Sequence, residues 1–303
     1  MADKQSLRVG RHTVDVSNPD KPMFPDDGIT KGELIDYYRS VARTMLPYLR
    51  GRPVSMERYP DGLDGQSFFQ KAVAGNHPAW VRTEEVKKEG GTVTMAVCDD
   101  TATLVYLANQ ACLTPHVWLS RAERPERPDR LVFDLDPPGD DFGLVRWTAF
   151  ELRALLQELG LDPLVMTTGS RGLHLLLPLA GDEDFDSVRA FARDVSELLA
   201  GRHPDRLTTE PRKNKRRGRL YLDIQRNAYA QTAVSPYAVR ARPHAPVAAP
   251  LTWEELRDED IGARHWTLRT MPGRLRDTGD VWRGRRRGRS LTAARRRLSG
   301  LDR

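Results

Sequence analysis

Residues 130–136 alternate strictly in character. Leu131, Phe133 and Leu135 share one parity, Val132, Asp134 and Asp136 the other, and Pro137-Pro138 ends the run. Neighbouring side chains of a strand leave on opposite sides, so this stretch predicts a strand with one apolar face and two carboxylates on the other. Next, Leu144, Trp147, Phe150, Leu155 and Leu159 recur at helical spacing, which predicts a helix over about 143–159 stopped at Gly160. Strands follow at 163–168 and 173–179 around the turn Thr168-Gly169-Ser170-Arg171-Gly172, then a helix over 185–200 stopped by Gly201, and a strand at 219–224. The order is β-α-β-β-α-β, the ferredoxin-like arrangement shared by RNA-recognition modules. In such a fold the first strand lies between the third and fourth, and both helices cover one face. His174 and Asp223 would then share the face of Asp134 and Asp136.

The preceding stretch has its own pattern. A hairpin is predicted around Gly10 (7–16), then a proline-punctuated loop from Asn18 to Asp27. Thr30 and Glu33 form a capping box ahead of Leu34, Tyr38, Val41, Met45 and Leu49, so a helix is predicted over 31–48. Strands are expected near Pro53–Tyr59 and Thr92–Cys98, with a helix capped by Asp100 between Cys98 and Cys112. A second capping box, Thr252 with Glu255, starts a short helix near Trp253. The fold class read from this is mixed α+β: an N-terminal α/β subdomain (1–129) packed on a catalytic core with its C-terminal extension (130–280). A tail (281–303) follows, expected to lack fixed structure.

Composition narrows the class. The 303 residues carry 48 Lys and Arg against 42 Asp and Glu, a formal charge of +6, which suits a polyanionic partner such as nucleic acid. No apolar run approaches the roughly 18 residues of a membrane span, and no signal-peptide core is seen, so a cytoplasmic protein without a membrane partner is expected. Two cysteines, Cys98 and Cys112, are expected as buried thiols. Nine arginines fall in the last 21 residues, which read as a basic arm for nucleic acid.

Three aspartates, Asp134, Asp136 and Asp223, are the set a two-metal phosphoryl-transfer site requires. Asp-x-Asp alone is as often a solvated strand end, but like charges on adjacent strands repel without a cation. The turn from Thr168 to His174 offers hydroxyls, freed backbone N–H groups, a guanidinium and an imidazole, a set able to cradle a triphosphate. Its plainer counterpart is a hairpin turn with a surface arginine and a structural histidine. Arg216 lies in a cationic loop running into the Asp223 strand, and Arg240 in an extended proline-bounded stretch; either could be a solvated charge. Phe68-Phe69 could be core or could stack on a base. His116 has no local partner and by itself reads as structural.

Val132-Phe133-Asp134-Leu135-Asp136-Pro137, Thr168-Gly169-Ser170-Arg171-Gly172-Leu173-His174, Tyr221-Leu222-Asp223 and Ala233-Val234-Ser235-Pro236-Tyr237-Ala238-Val239-Arg240-Ala241-Arg242 together closely resemble the polymerase domain of bacterial ligase D, of the archaeo-eukaryotic primase superfamily. The resemblance runs from about residue 8 to about 270. It implies a primer-dependent DNA/RNA polymerase of bacterial non-homologous end joining that uses nucleoside triphosphates and two divalent cations, manganese or magnesium. Ku and a separate ATP-dependent DNA ligase are implied as partners, since the chain has no Lys-x-Asp-Gly element. Carried over by position, Asp134, Asp136 and Asp223 would hold the metals. Thr168, Ser170, Arg171, His174, His116, Arg216 and Arg240 would contact the nucleotide. Asn18, Lys21 and Lys31 would bind the downstream 5′-phosphate, and Phe68 and Phe69 would stack near a base. Glu57 stands where some relatives have lysine. A reading of another class is a non-catalytic module that binds or bridges DNA ends with the same basic face.

Overall fold

The computed structural model describes residues 4–285 and 287–301. They form two compact units, each assembled from separated stretches. The first takes the chain up to Trp118, then Val234–Ala249 and Trp266–Asp280; the second takes Leu119–Ala233, Pro250–His265 and the residues from Val281 onward. The expected division at 129/130 therefore falls late. Residues 119–129 belong with the aspartate strand because Asp129 N donates to Leu119 O at 3.1 Å and Leu179 N donates to Asp129 O at 2.8 Å.

The second unit is built on a six-stranded sheet in the order Leu207–Thr208, Leu220–Asp223, Arg130–Asp136, Leu173–Pro178, Leu164–Thr167, Pro250–Leu251. The first strand of the β-α-β-β-α-β set lies between the third and fourth, as the pattern predicts. Leu207–Thr208 pairs parallel to its neighbour, the others antiparallel. Leu131, Phe133, Leu135, Leu173 and Leu175 are completely buried, and each such side chain contributes about 1.5–3 kcal/mol on leaving water. The helices Phe142–Glu158 and Phe185–Arg202 both contact the aspartate strand. Asp141 caps the first by accepting from Leu144 N at 2.9 Å, and Asp184 caps the second by accepting from Ser187 N at 2.8 Å. The first helix buries Val145, Ala149, Leu152, Leu155 and Leu156. Trp147 and Phe150 lie at the margins of that stripe, Trp147 edge-on to His203 and Phe150 against Trp253.

The arginine-rich stretch expected to lack structure is folded onto this unit. Trp282 is buried, with its indole N–H donating to Leu251 O at 3.3 Å. Arg289 forms a parallel bridge with Leu179, and the helix Thr292–Leu301 follows. Its few apolar residues are enough because Leu291, Ala294 and Leu298 fall on one helical face and are all buried. Arg295 adds an ion pair to Glu183 at 2.6 Å and covers the Phe191 ring.

In the first unit, the helix Lys31–Leu49 begins with the predicted capping box: Glu33 N donates to Thr30 Oγ1 at 3.2 Å and Thr30 N to Glu33 Oε2 at 3.0 Å. Leu34, Tyr38, Val41, Met45 and Leu49 are buried, as their spacing predicts. The helix packs on Thr101–Asn109, which Asp100 caps. Val54–Arg58 pairs antiparallel with both Cys112–Trp118 and Phe68–Gln70. The strand expected at Thr92–Cys98 is Gly91–Ala96, one arm of a hairpin with Thr83–Lys88. Both cysteines are free and buried. Among the described residues no helix is long and apolar enough to cross a membrane.

Candidate active site

Strand register brings the chemistry of the second unit together. Asp134 stands opposite Asp223 on one neighbour and opposite His174 on the other. All three lie on the face away from the leucines. His174 is buried, with Nε2 3.5 Å from Asp134 Oδ1, and Arg226 Nε lies 3.6 Å from Asp134 Oδ2. Asp223 accepts from Gln225 N at 2.7 Å. Burial first, and then the negative charge of Asp134, push the Asp223 carboxyl above its usual range despite that hydrogen bond and the nearby Arg226. Two facing carboxylates whose ionisation is mutually opposed are a donor set that fits a hard divalent cation.

Asp136 has a different environment. Its Oδ1 accepts from Arg171 Nη2 at 3.0 Å and its Oδ2 from Arg216 Nη1 at 2.8 Å. The expected convergence of three carboxylates is thus a pair, with the third held by two guanidiniums. Among the described residues no group of three or more His, Cys, Asp or Glu side chains is gathered closely enough to hold a metal ion. Arg216 is buried: its Nε and Nη2 donate to Glu210 O and Pro211 O at 3.2 and 3.0 Å, and its guanidinium lies 4.1 Å from the Tyr221 ring centre. Of the two readings open for Arg216, a solvated loop charge or a residue of the site, the structure favours the second by burying it beside Asp136. Arg171 is the more exposed of the two.

The turn is closed by Thr168. Its N and Oγ1 donate to Gly172 O at 3.0 and 3.1 Å, while Oγ1 accepts from Ser170 N and Gly172 N, each at 3.3 Å. Gly169 has φ +65°, a left-handed conformation that glycine adopts without steric cost. A Cβ on Gly172 would run into the Leu135 carbonyl oxygen, so turn and aspartate strand touch backbone to backbone. Arg264 Nε donates to Ser170 O at 2.7 Å and fixes the outer edge.

Sequence reasoning assigned Arg226 and Asn227 no role. Asn227 is completely buried: its Oδ1 accepts from Val132 N at 2.9 Å, and its Nδ2 donates to Val132 O at 2.7 Å and Ile224 O at 3.0 Å. The aspartate strand pairs with Leu220–Asp223 from Asp134 onward, and the amide continues that ladder two residues back. Neither residue has a periodicity or spacing signal; both matter through where the chain turns after Asp223.

The first unit holds the remaining predicted residues. His116 Nε2 lies 3.4 Å from Glu57 Oε2, and its ring meets Phe69 edge-on. Burial raises the Glu57 carboxyl, but the hydrogen bond and charge of His116 and the charge of Arg240 outweigh this and bring it below its usual range. His116 and Arg240 thus bear on one carboxylate. Phe68 and Phe69 are 46% and 59% exposed on an edge strand, so neither is core. Asn18 has φ +49° and its carbonyl accepts from Lys21 N at 3.1 Å. Lys21 Nζ pairs with Asp61 at 2.9 Å, and the buried Lys31 donates to Ser17 Oγ at 3.2 Å. Burial and the charge of Lys21 lower the Lys31 ammonium below its usual value, so the two lysines act on each other.

The model of the family "LigD, primase-polymerase domain" matches residues 30–282. "Multifunctional non-homologous end joining protein LigD" of Mycolicibacterium smegmatis is 37% identical over 272 residues, 88% of this chain and 35% of that protein. "Bifunctional non-homologous end joining protein LigD" of Bacillus subtilis is 33% identical over 262 residues, covering 86% and 42%. This chain thus spans between a third and a half of the length of these relatives. Among solved structures, "Polymerase Domain from Mycobacterium tuberculosis Ligase D in complex with DNA" aligns with a TM-score of 0.84 at 35% identity, covering 89% of this chain and 96% of that one.

Proposed function

Because the chain belongs to the LigD primase-polymerase domain family, we propose that it is a primer-dependent nucleotidyltransferase. It adds ribo- or deoxyribonucleotides to 3′ ends at gaps and double-strand breaks in bacterial non-homologous end joining. The observation that supports this most is the Asp134–Asp223 pair, set between His174 and Arg226 on the sheet face away from the helices. On the family motif Asp134, Asp136 and Asp223 would hold two divalent cations, manganese or magnesium, although only Asp134 and Asp223 face each other here. Such ions activate an attacking hydroxyl and neutralise charge on a leaving pyrophosphate.

The chain's own residues do the positioning. Arg171 and Arg216 present guanidiniums already oriented by Asp136, suited to the phosphates of an incoming nucleoside triphosphate. The turn closed by Thr168 offers the Ser170 hydroxyl and nearby N–H groups to the same phosphates. His174, whose Nε2 lies 3.5 Å from Asp134 Oδ1, adds an imidazole. His116 and Arg240 are assigned to the nucleotide on the family motif alone. Asn18, Lys21 and Lys31 receive the 5′-phosphate of a downstream strand, and Phe68 and Phe69 provide exposed aromatic faces for a base. Ku and an ATP-dependent ligase activity would act before and after it, in the cytoplasm.

The test is primer extension on a 5′-phosphorylated gapped duplex with manganese. Asp134→Ala and Asp223→Ala are expected to lose extension at least a thousandfold while keeping the wild-type circular dichroism spectrum. Extension within tenfold of wild type in either variant would sink the metal-site assignment. DNA binding without turnover by the wild-type protein would favour the end-binding module instead.

A further inference from the structure

The folded tail creates a cleft of about 740 Å³ in the second unit, at the end of the sheet remote from the aspartate pair. Pro178, on its wall, pairs with Arg130 at the start of the aspartate strand, four residues along from His174, or roughly 13 Å at about 3.3 Å per residue. Leu159-Gly160, at the end of the first helix, and Ala293 and Ala294 also line it. Among the described residues four arginines line it, Arg285, Arg287, Arg289 and Arg297, with Asp162 as the only carboxylate, a net formal charge of +3 from these side chains.

The backbone around these arginines is built. A Cβ on Gly288 would run into the Leu179 carbonyl oxygen, and a Cβ on Gly160 would run into the Arg297 guanidinium. Ala180 N donates to Arg289 O at 3.0 Å and Arg289 N donates to Pro178 O at 3.1 Å, so the strap is tied to the sheet by its main chain. Its side chains are left over: among the described residues none of the four guanidiniums has an ion pair or hydrogen bond. On the same helix Arg295 is fully engaged with Glu183, Ser187 O and the Phe191 ring. Arginines that serve the fold are thus separate from arginines that face the cleft. Like charges gathered around one opening repel, and an anion with repeated charges relieves that repulsion.

We propose that this cleft is a second nucleic-acid site, which grips a phosphodiester backbone away from the catalytic face and adds affinity without taking part in nucleotide transfer. The identity of the polyanion rests on the proposed polymerase reading. Planar guanidiniums match phosphate geometry in a fork, and their number suits consecutive phosphates of one strand.

The test measures binding of the full chain to a 5′-phosphorylated gapped duplex across a salt series. Arg287→Gln/Arg289→Gln is expected to make the slope of log K against log salt shallower by about 1.8, at about 0.9 for each phosphate no longer neutralised. Arg287→Lys/Arg289→Lys keeps the charge and is expected to keep the slope. Arg283→Gln/Arg296→Gln removes the same charge from exposed tail positions outside the lining and is expected to change it little. Equal slopes for the two Gln pairs would mean bulk charge and overturn the site. So would unchanged DNA binding by Arg287→Gln/Arg289→Gln together with lost binding of polyglutamate, which would mean an acidic peptide. Extension at saturating DNA is expected to be unchanged in all three variants. Absence of extension in the wild-type protein with the salt effect intact would remove the polymerase reading and leave the cleft.

Discussion

Asn227 offers the sharpest test of how the site is held. Replacing it with alanine leaves Val132 N–H and C=O, in a residue with no solvent exposure, without their side-chain partners, and also removes the bond to Ile224 O. A buried backbone group left unpaired costs about 1–3 kcal/mol, so the two groups of Val132 put the loss at about 2–6 kcal/mol. Against a total of about 5–15 kcal/mol for a typical domain, that is a large fraction. Urea unfolding followed by tryptophan fluorescence reads it directly. Asn227→Asp is the companion: it still accepts from Val132 N–H but sets a carboxylate against two carbonyl oxygens. The fold then favours the protonated aspartate, which can donate as the amide does. Its folded pKa is raised, so the variant regains stability relative to wild type as pH falls through that value towards about 4. A loss below about 1 kcal/mol in Asn227→Ala would refute the view that this amide completes the ladder beside Asp134.

Three further outcomes follow from groups already described. Lys31 has a lowered folded pKa, so between that value and about 10.4 the unfolded chain binds more protons and wild-type stability rises with pH; Lys31→Met carries no such proton. The stability of wild type minus that of Lys31→Met, from denaturant midpoints, should therefore climb between neutral pH and about pH 10.5, and a flat or falling difference contradicts the assignment. The same variant, or Lys21→Ala, should bind gapped DNA equally with and without its 5′-phosphate. Gly172→Ala forces the turn off the Leu135 carbonyl and carries Arg171 and His174 with it; extension should fall at least tenfold with a raised KM for the nucleotide, and activity within twofold of wild type would show that this close approach is dispensable.

The core was legible because its signals are local. Leucines of one parity at 131–135 and 173–177 could only face one side, so Asp134, His174 and Asp223 had to face the other, and the register agrees. Thr30 and Glu33 announced a helix start through groups three residues apart. What was not legible depends on partners distant in sequence. Nothing near Arg216 announces that Asp136, 80 residues away, will hold it. Nor does anything near Asn227 announce Val132, and the tail's apolar residues looked too sparse until Leu251 and Phe191 supplied what the tail packs on. The alternation also placed three aspartates on one face without revealing that two arginines would claim one of them.

The interleaved assembly of the two units sets a timetable for synthesis. The first unit needs residues up to Asp280, although most of it precedes Leu119. Its early helix exposes the need: Tyr37 donates to Tyr237 O, Tyr38 accepts from Val239 N, and Tyr48 donates to Asp280. Elongation at roughly 5–20 residues per second puts about 8–30 s between Trp118 and Asp280 leaving the peptidyl-transferase centre. During that interval three tyrosines and the apolar face beside them wait without their final neighbours. Nascent chains stalled between these two points should therefore be the species that chaperones hold.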